Sequence, residues 1–352
     1  MKRITLNYTK REWMVNKMSQ VTLKFISEKS GVSTTIVSKI LNNKEVRVSK
    51  EKRELVLEIA KKYNYIPNMI AASLVTKKSK MIGLLIPDIS NTFFSDIAKN
   101  IESTLSKEGY NLIFCNTNDS FELQEKYANL LLSRGVDALI FCLAMGTRER
   151  SHFIERFIEH DIPLIAFDRF TESPKYSSVT IDNKKGILAG VEYLIKSGHK
   201  KIGCIPGPKF STSSNIRLSG YKEALESHNI KFDEEKVSYG DYRFEGGYEA
   251  CKKLLETDIT SIIVFNDLMA YGAYKAINDA GLRIPEDISV IGFDDLMFSE
   301  MLSVPLTTIA QNTKEISDNI ARLALEAIEN NDEKKHILIT PRLVVRNSVK
   351  NI

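Results

Sequence analysis

From Ile82 onward the chain alternates short apolar runs with longer amphipathic stretches. The apolar runs have strand length: IGLLIP (82–87), NLIFC (111–115), ALIFC (138–142), LIAFD (164–168), KIGCI (201–205), SIIVF (261–265) and ISVIGFDD (288–295). Between them, apolar positions recur at helical spacing, for example over 121–134, 215–228, 245–256 and 268–280. Near-continuous apolar strands are buried on both faces, as helices flanking a parallel sheet require. The pattern therefore predicts doubly wound parallel α/β structure. With about 270 residues to place, two such lobes facing a cleft are expected rather than one.

The first 66 residues follow another pattern. Residues 21–41, VTLKFISEKSGVSTTIVSKIL, predict an amphipathic helix ending at Gly31, a tight turn through Val32 and Ser33, and a second helix starting on Ser33. Glycine permits the positive φ of a sharp inter-helix turn, and the Ser33 hydroxyl is a ready N-cap. Ile26, Val32, Val37 and Leu41 are expected to close a small core, leaving Thr34, Thr35 and Lys39 outside. A surface helical hairpin shares this pattern with a helix-turn-helix whose second helix enters a DNA major groove. A third helix is predicted with Ser49 as cap, Glu51 in its first turn and Val56, Ile59, Ala60 and Tyr63 at helical spacing; it stops before Pro67. The segment NMIAASL (68–74), which Asn68 can cap, is too short for a helix stable in isolation, and a polar linker follows it. Residues 1–20 lack periodicity and read as a disordered arm, or Met18 is the true start; Trp13 lies there.

Charge separates the two readings of the hairpin. The chain is +4 overall, but its first 80 residues carry 18 Lys+Arg against 6 Asp+Glu, so the remaining 272 are at −8. A basic head on an acidic body suggests a nucleic-acid module joined to something else. Such charge supplies affinity for phosphates without sequence preference. Runs such as MIGLLI are far short of the ~20 apolar residues a bilayer requires, and the polar, basic N-terminus is unlike a secretory signal, which predicts a cytoplasmic protein with no membrane partner. Cys115, Cys142, Cys204 and Cys251 are scattered, and free buried thiols are expected.

Polar and aromatic residues follow the predicted strands. Asn91, Phe93 and Phe94 come after IGLLIP, Asp168 and Arg169 end LIAF, Asn266 and Asp267 follow IIVF, Asp294 and Asp295 end VIGF, and Gln311 ends LTTIA. Arg217 opens a helix and Tyr242 follows VSYGD. Doubly wound sheets hold ligands at the carboxyl ends of their strands. Carboxylate, amide and guanidinium groups suit vicinal hydroxyls, which donate and accept, and aromatic rings suit the C–H face of a sugar. Singly, each position also reads as a helix cap, a turn or core. No metal-ligand spacing occurs among the five histidines, and no nucleophile elbow, phosphate loop or dinucleotide fingerprint occurs, so neither an enzyme nor a cofactor or metal is expected.

Taken together, GVS…VSKILN, YNYIPNMIAASL, FDR, SGHKKIG, RLSGY, NDLMAYGA and DISVIGFDD with PLTTIAQ resemble the lactose/galactose repressor family (LacI/GalR) from about Val21 to the C-terminus. The resemblance implies a helix-turn-helix head (21–66), a hinge helix and linker (67–80), and an effector and dimerisation core (81–352) of periplasmic-binding-protein type. It implies an N-lobe of about 81–181 and 313–340 and a C-lobe of about 182–310 and 341–352. By motif position Ser33, Thr34, Thr35, Lys39 and Asn42 would meet operator DNA, with Asn68, Ala71 and the minor-groove wedge Leu74 in the hinge. Asn91, Phe93, Phe94, Asp168, Arg169, Arg217, Tyr242, Asn266, Asp294 and Gln311 would line the effector pocket. The Asp168–Arg169 pair with Arg217, Asn266, Asp294 and Gln311 looks most like ribose repressors. A homodimer on double-stranded operator DNA, controlled by a small sugar, is the implied function. A purine- or phosphosugar-responsive repressor and a sugar receptor without DNA function are the alternatives. Some positions depart from the pattern: Phe25 replaces an Asp, Ser27 and Ser30 replace alanines, and Lys39 replaces an Arg, giving up the planar fork that reads guanine bidentately.

Overall fold

The computed structural model describes residues 21–66, 78–145, 151–170, 173–329 and 333–352. The readings placed on residues 1–20 and on the hinge positions Asn68, Ala71 and Leu74 lie outside the described residues. The chain divides into two compact units, 1–79 and 80–352.

In the first unit, α1 (Leu23–Ser30), α2 (Thr34–Leu41) and α3 (Lys50–Lys62) pack around Ile26, Val32, Val37, Ile40, Val56 and Ile59. Thr22 caps α1 by accepting from Phe25 N, and Ser49 caps α3 by accepting from Lys52 N. Gly31 ends α1 at φ 65°, the left-handed conformation that the turn needs. Two details differ from the sequence reading. Ile40, not named from the sequence, is buried beside Val37, and Leu41 packs half-buried against the same core. Ser33 holds the N-cap position, but its hydroxyl makes no capping hydrogen bond. The unusual residues of α1 also have packing roles. The Phe25 ring meets Tyr63 edge-on at 5.0 Å, and the buried Ser30 hydroxyl donates back to Ile26 O at 2.7 Å.

The second unit holds two sheets. The first is six-stranded and wholly parallel, in the order β10-β5-β4-β3-β1-β2: β1 (Met81–Ile86), β2 (Asn111–Asn116), β3 (Ala138–Phe141), β4 (Leu164–Phe167), β5 (Ser177–Ile181) and β10 (His336–Ile339). Helices α4 (Thr92–Lys107), α5 (Phe121–Ser133), α6 (His152–Glu159) and α12 (Thr313–Ile328) belong with it. The second sheet runs β11-β9-β8-β7-β6, from β6 (Ile202–Ile205), β7 (Ser261–Val264), β8 (Ser289–Asp294), β9 (Thr307–Ala310) and β11 (Arg342–Val344). Only β11 is antiparallel there. Helices α7 (Asn183–Lys196), α8 (Thr212–Ser227), α9 (Phe244–Leu254), α10 (Asp267–Asp279) and the short α11 (Met297–Met301) accompany it.

The chain passes between the sheets three times, at Asp182 after β5, at Asn312 before α12 and at Pro341 between β10 and β11. Strands β3, β4, β6, β7, β8 and β9 are buried along their whole length, as parallel strands covered on both faces must be. Among the described residues no helix is long and apolar enough to cross a membrane, and no group of His, Cys, Asp and Glu is placed to hold a metal ion. All four cysteines are buried and unpaired.

Candidate functional site

On the head, Ser33, Thr34, Thr35 and Lys39 project from α2 into solvent. Asn42 ends that helix, and its side-chain amide donates to Ser38 O at 2.8 Å, so it is turned back onto the helix. Arg53 from α3 donates to Lys44 O, closing the loop after α2.

The cleft of the second unit lies where strand ends of the two sheets converge. The first lobe contributes Asn91, Phe93 and Phe94 after β1 and Asp168 and Arg169 after β4. The second contributes Arg217 from α8, Tyr242 before α9, Asn266 after β7, Asp294 at the end of β8 and Gln311 after β9. All ten expected pocket residues line one cleft, and Ser213 lines it with them. Nothing in the run STSSN distinguished Ser213 from a capping serine; only the fold brings it to the wall.

Each side chain is held by its element. Asn91 caps α4, accepting from Phe93 N at 3.0 Å. Phe93 and Phe94 meet edge-on at 5.1 Å, and both are also core, with Phe94 near Phe167 at 6.4 Å. Asp168 turns the chain at φ 55° directly after β4 and accepts weakly from the Cys142 thiol at 3.7 Å. Arg169 pairs with Asp119 at 2.8 Å and with Asp168 at 3.6 Å, and its guanidinium lies 5.6 Å from the Phe94 ring centre. Asp119, fifty residues away in sequence, was not foreseen as a partner.

On the opposite wall the buried Arg217 donates from Nε to Asn183 Oδ1 at 2.6 Å and from Nη1 to Phe265 O, with its Cζ 3.7 Å over the Phe293 ring. Gln311 donates to Asp294 Oδ1 at 2.6 Å. Asn266 caps α10 and donates to Tyr242 O at 3.0 Å. The Tyr242 ring lies against Gly207, where any Cβ would collide with it, and its hydroxyl is 3.3 Å from Ser213 Oγ.

Three cleft residues hold positive-φ backbone. Asp168, Tyr242 and Asp294 have φ of 55°, 67° and 122°. Such conformations cost about 1–3 kcal/mol each and persist only where the surroundings impose them. Burial pushes the Asp294 carboxyl well above the usual carboxylate range; nearby Arg217 pulls it down, and Asp267 pushes it up again. The neighbouring aspartates face away from the cleft. Asp267 accepts from Leu296 N, Ser299 Oγ and Thr308 Oγ1 at 2.9, 2.6 and 2.7 Å, tying α10 to α11 and β9. Asp295 pairs with Arg346 at 2.7 Å.

A three-helix head with a helix-turn-helix, carried on the same polypeptide as a two-lobed α/β domain with a polar cleft, defines a regulator that joins a DNA-reading fold to a small-molecule-binding fold. The chain belongs to the LacI family. Residues 22–68 match the bacterial regulatory proteins of the lacI family, and residues 79–348 match the periplasmic binding proteins and sugar binding domain of the LacI family. The HTH-type transcriptional repressor PurR of Vibrio atlanticus (strain LGP32) is 33% identical, over 94% of this chain and 99% of its own length. The lac repressor dimer bound to operator and the anti-inducer ONPF superposes with a TM-score of 0.84 at 28% identity, covering 94% of this chain and 100% of that one. A LacI family transcriptional regulator from Enterococcus faecium with bound ribose superposes with a TM-score of 0.71 at 29% identity, covering 77% of this chain and 99% of that one.

Proposed function

We propose that the protein is a homodimeric, operator-binding repressor whose hold on DNA is released by a small neutral sugar, with ribose or a related pentose as the effector. The observation that carries this is the pairing of opposite walls: Asp168 and Arg169 on one lobe face Arg217 and Asp294 on the other, with Phe94 and Tyr242 beside them. Each sugar hydroxyl donates and accepts, so it can satisfy a carboxylate and a guanidinium at once. Closing both walls on one ring makes lobe closure depend on occupancy. A phosphosugar fits this charge pattern less well. Arg169 is already paired with Asp119 and Asp168, which leaves Arg217 on the opposite wall as the one pocket cation whose bonds are all to neutral acceptors, against the two pocket carboxylates Asp168 and Asp294. The ribose-bound regulator from Enterococcus faecium supports the choice of a pentose. The 33% identity to a repressor named PurR keeps a purine as the second reading.

On the head, we assign base reading to Thr34, Thr35 and Lys39, with Ser33 at the phosphates and Asn42 steadying the helix end. The hinge roles of Asn68, Ala71 and Leu74 belong to the same proposal. A two-fold dimer places two recognition helices in successive major grooves. The dimer form of the operator-bound lac repressor supports this, as do the exposed Met297, Phe298 and Met301 on α11, an apolar face for a second copy. No enzymatic role is assigned, and the protein is placed in the cytoplasm with its DNA.

A thermal-shift panel of pentoses, hexoses, pentose phosphates and purine bases tests the effector class. A ligand at 100 times its Kd adds about 2.7 kcal/mol of stability. The reading expects a neutral pentose to raise Tm; a response confined to purines or to phosphorylated sugars overturns it.

A further inference from the structure

Asn183 is the first residue of α7, two residues after β5 ends and the chain leaves the first lobe. It is buried, and capping of α7 falls to Asp182, which accepts from Lys185 N at 2.9 Å. The Asn183 side chain is spent otherwise: its Oδ1 accepts from Arg217 Nε at 2.6 Å. Arg217 has two further restraints, the Phe265 carbonyl below Nη1 and the Phe293 ring 3.7 Å from Cζ. Two of the five guanidinium N–H donors are thereby used inside the lobe, and the outer edge of the fork is left for the cleft. Asp294 lines the same cavity, yet among the described residues no ion pair joins it to Arg217. A neutral amide acceptor at 183 fixes the plane of the guanidinium without cancelling its charge, which a carboxylate there would do.

We propose that Asn183 is a positioning residue for the effector site, fixing the plane of Arg217 so that the guanidinium meets bound hydroxyls instead of folding onto Asp294. The inference rests on the sugar-binding reading of the cleft. It also gives the lobe junction a direct link to the ligand, because the residue that orients Arg217 sits at the crossover itself.

The test uses the full chain, arginine side-chain ¹⁵N NMR and calorimetry with D-ribose, on the wild type, Asn183→Leu, Asn183→Asp, Arg217→Met and the Asn183→Leu/Arg217→Met double variant. The wild type should show an Arg217 Nε–H resonance protected from solvent exchange. Asn183→Leu should lose that protection and weaken ribose binding about tenfold or more, whereas Asn183→Asp, which keeps an acceptor, should retain the resonance. In the Arg217→Met background, Asn183→Leu should cost nothing further, because positioning acts only through Arg217. A general packing role would instead weaken ribose binding in both backgrounds, which overturns the proposal. So does an Asn183→Leu variant with Nε–H protection and ribose affinity intact. If the wild type bound no ribose while the resonance pattern held, the pentose reading would fall and the positioning of Arg217 by Asn183 would stand.

Discussion

Asp168→Asn removes one charge from the cleft and little else. Asp168 sits at φ 55°, a conformation that Asn tolerates as well as Asp, and the two side chains are nearly isosteric. Asp168→Ala would mix the functional loss with about 1–2 kcal/mol of backbone strain. In the unliganded protein the substitution loses an ion pair of 3.6 Å to Arg169, but Arg169 keeps its shorter pair to Asp119 at 2.8 Å. Breaking a buried pair costs about 3–5 kcal/mol when it leaves a charge uncompensated; Arg169 stays compensated by Asp119, so the stability loss should fall below that range. Binding is another matter. A hydrogen bond to a charged group contributes about 1.5–3 kcal/mol against about 0.5–1.5 for a neutral one. For a carboxylate gripping two hydroxyls the difference comes to about 2–3 kcal/mol, or about 30- to 150-fold in Kd. Calorimetry with D-ribose reads this directly, and a melting curve checks the fold. A Kd within about threefold of wild type, with Tm unchanged, would refute the assignment of Asp168 as a sugar ligand.

Lys39→Ala should cut the preference for a selected operator duplex over a scrambled one by about 1–3 kcal/mol, whereas Lys78→Ala should weaken both alike and lower the salt slope by about 0.9; anisotropy titrations separate the two, and a sequence-blind Lys39 effect counts against base reading. Asp294 has a folded-state pKa above its unfolded value, so its contribution to stability is full below the usual carboxylate range and is lost as pH rises through the elevated value. Asp294→Asn should therefore raise the Tm of the unliganded protein near neutral pH, with the gain shrinking toward about pH 4, while ribose affinity falls; a pH-independent Tm difference would contradict the burial argument. Gly31→Ala places a Cβ at φ 65° with open space around it, so only backbone strain of about 1–2 kcal/mol is expected; it should lower the melting temperature of the head by that amount of destabilisation, with ribose binding retained.

The sequence exposed the parts of this structure that depend on local chemistry. Gly31 marked the inter-helix turn and Ser49 the start of α3, because φ and capping are decided within a few residues. The apolar runs marked β1 to β4 and β6 to β8 because buried parallel strands need apolar side chains on both faces. Strand β5, SSVTI, was not seen: its two serines are buried at the sheet interior and break the apolar signature. Strand β10 is an edge strand with Leu338 exposed, and it pairs with residues about 160 positions earlier, so its partner is written elsewhere in the chain. The cleft residues were legible as polar groups at strand ends. Their supports were not, since Asp119 under Arg169 and Asn183 under Arg217 read locally as a turn and a helix start.

The central claim is that occupancy of the cleft and hold on DNA are coupled within one chain. Fluorescence anisotropy of a labelled, selected operator duplex, titrated with full-length protein with and without saturating D-ribose at fixed salt, tests it most directly. The account predicts tight, sequence-selective binding that ribose weakens by about tenfold or more, a coupling of at least about 1.4 kcal/mol. An operator affinity unchanged by ribose that calorimetry shows to be bound would contradict it, as would binding that never distinguishes the selected duplex from a scrambled one.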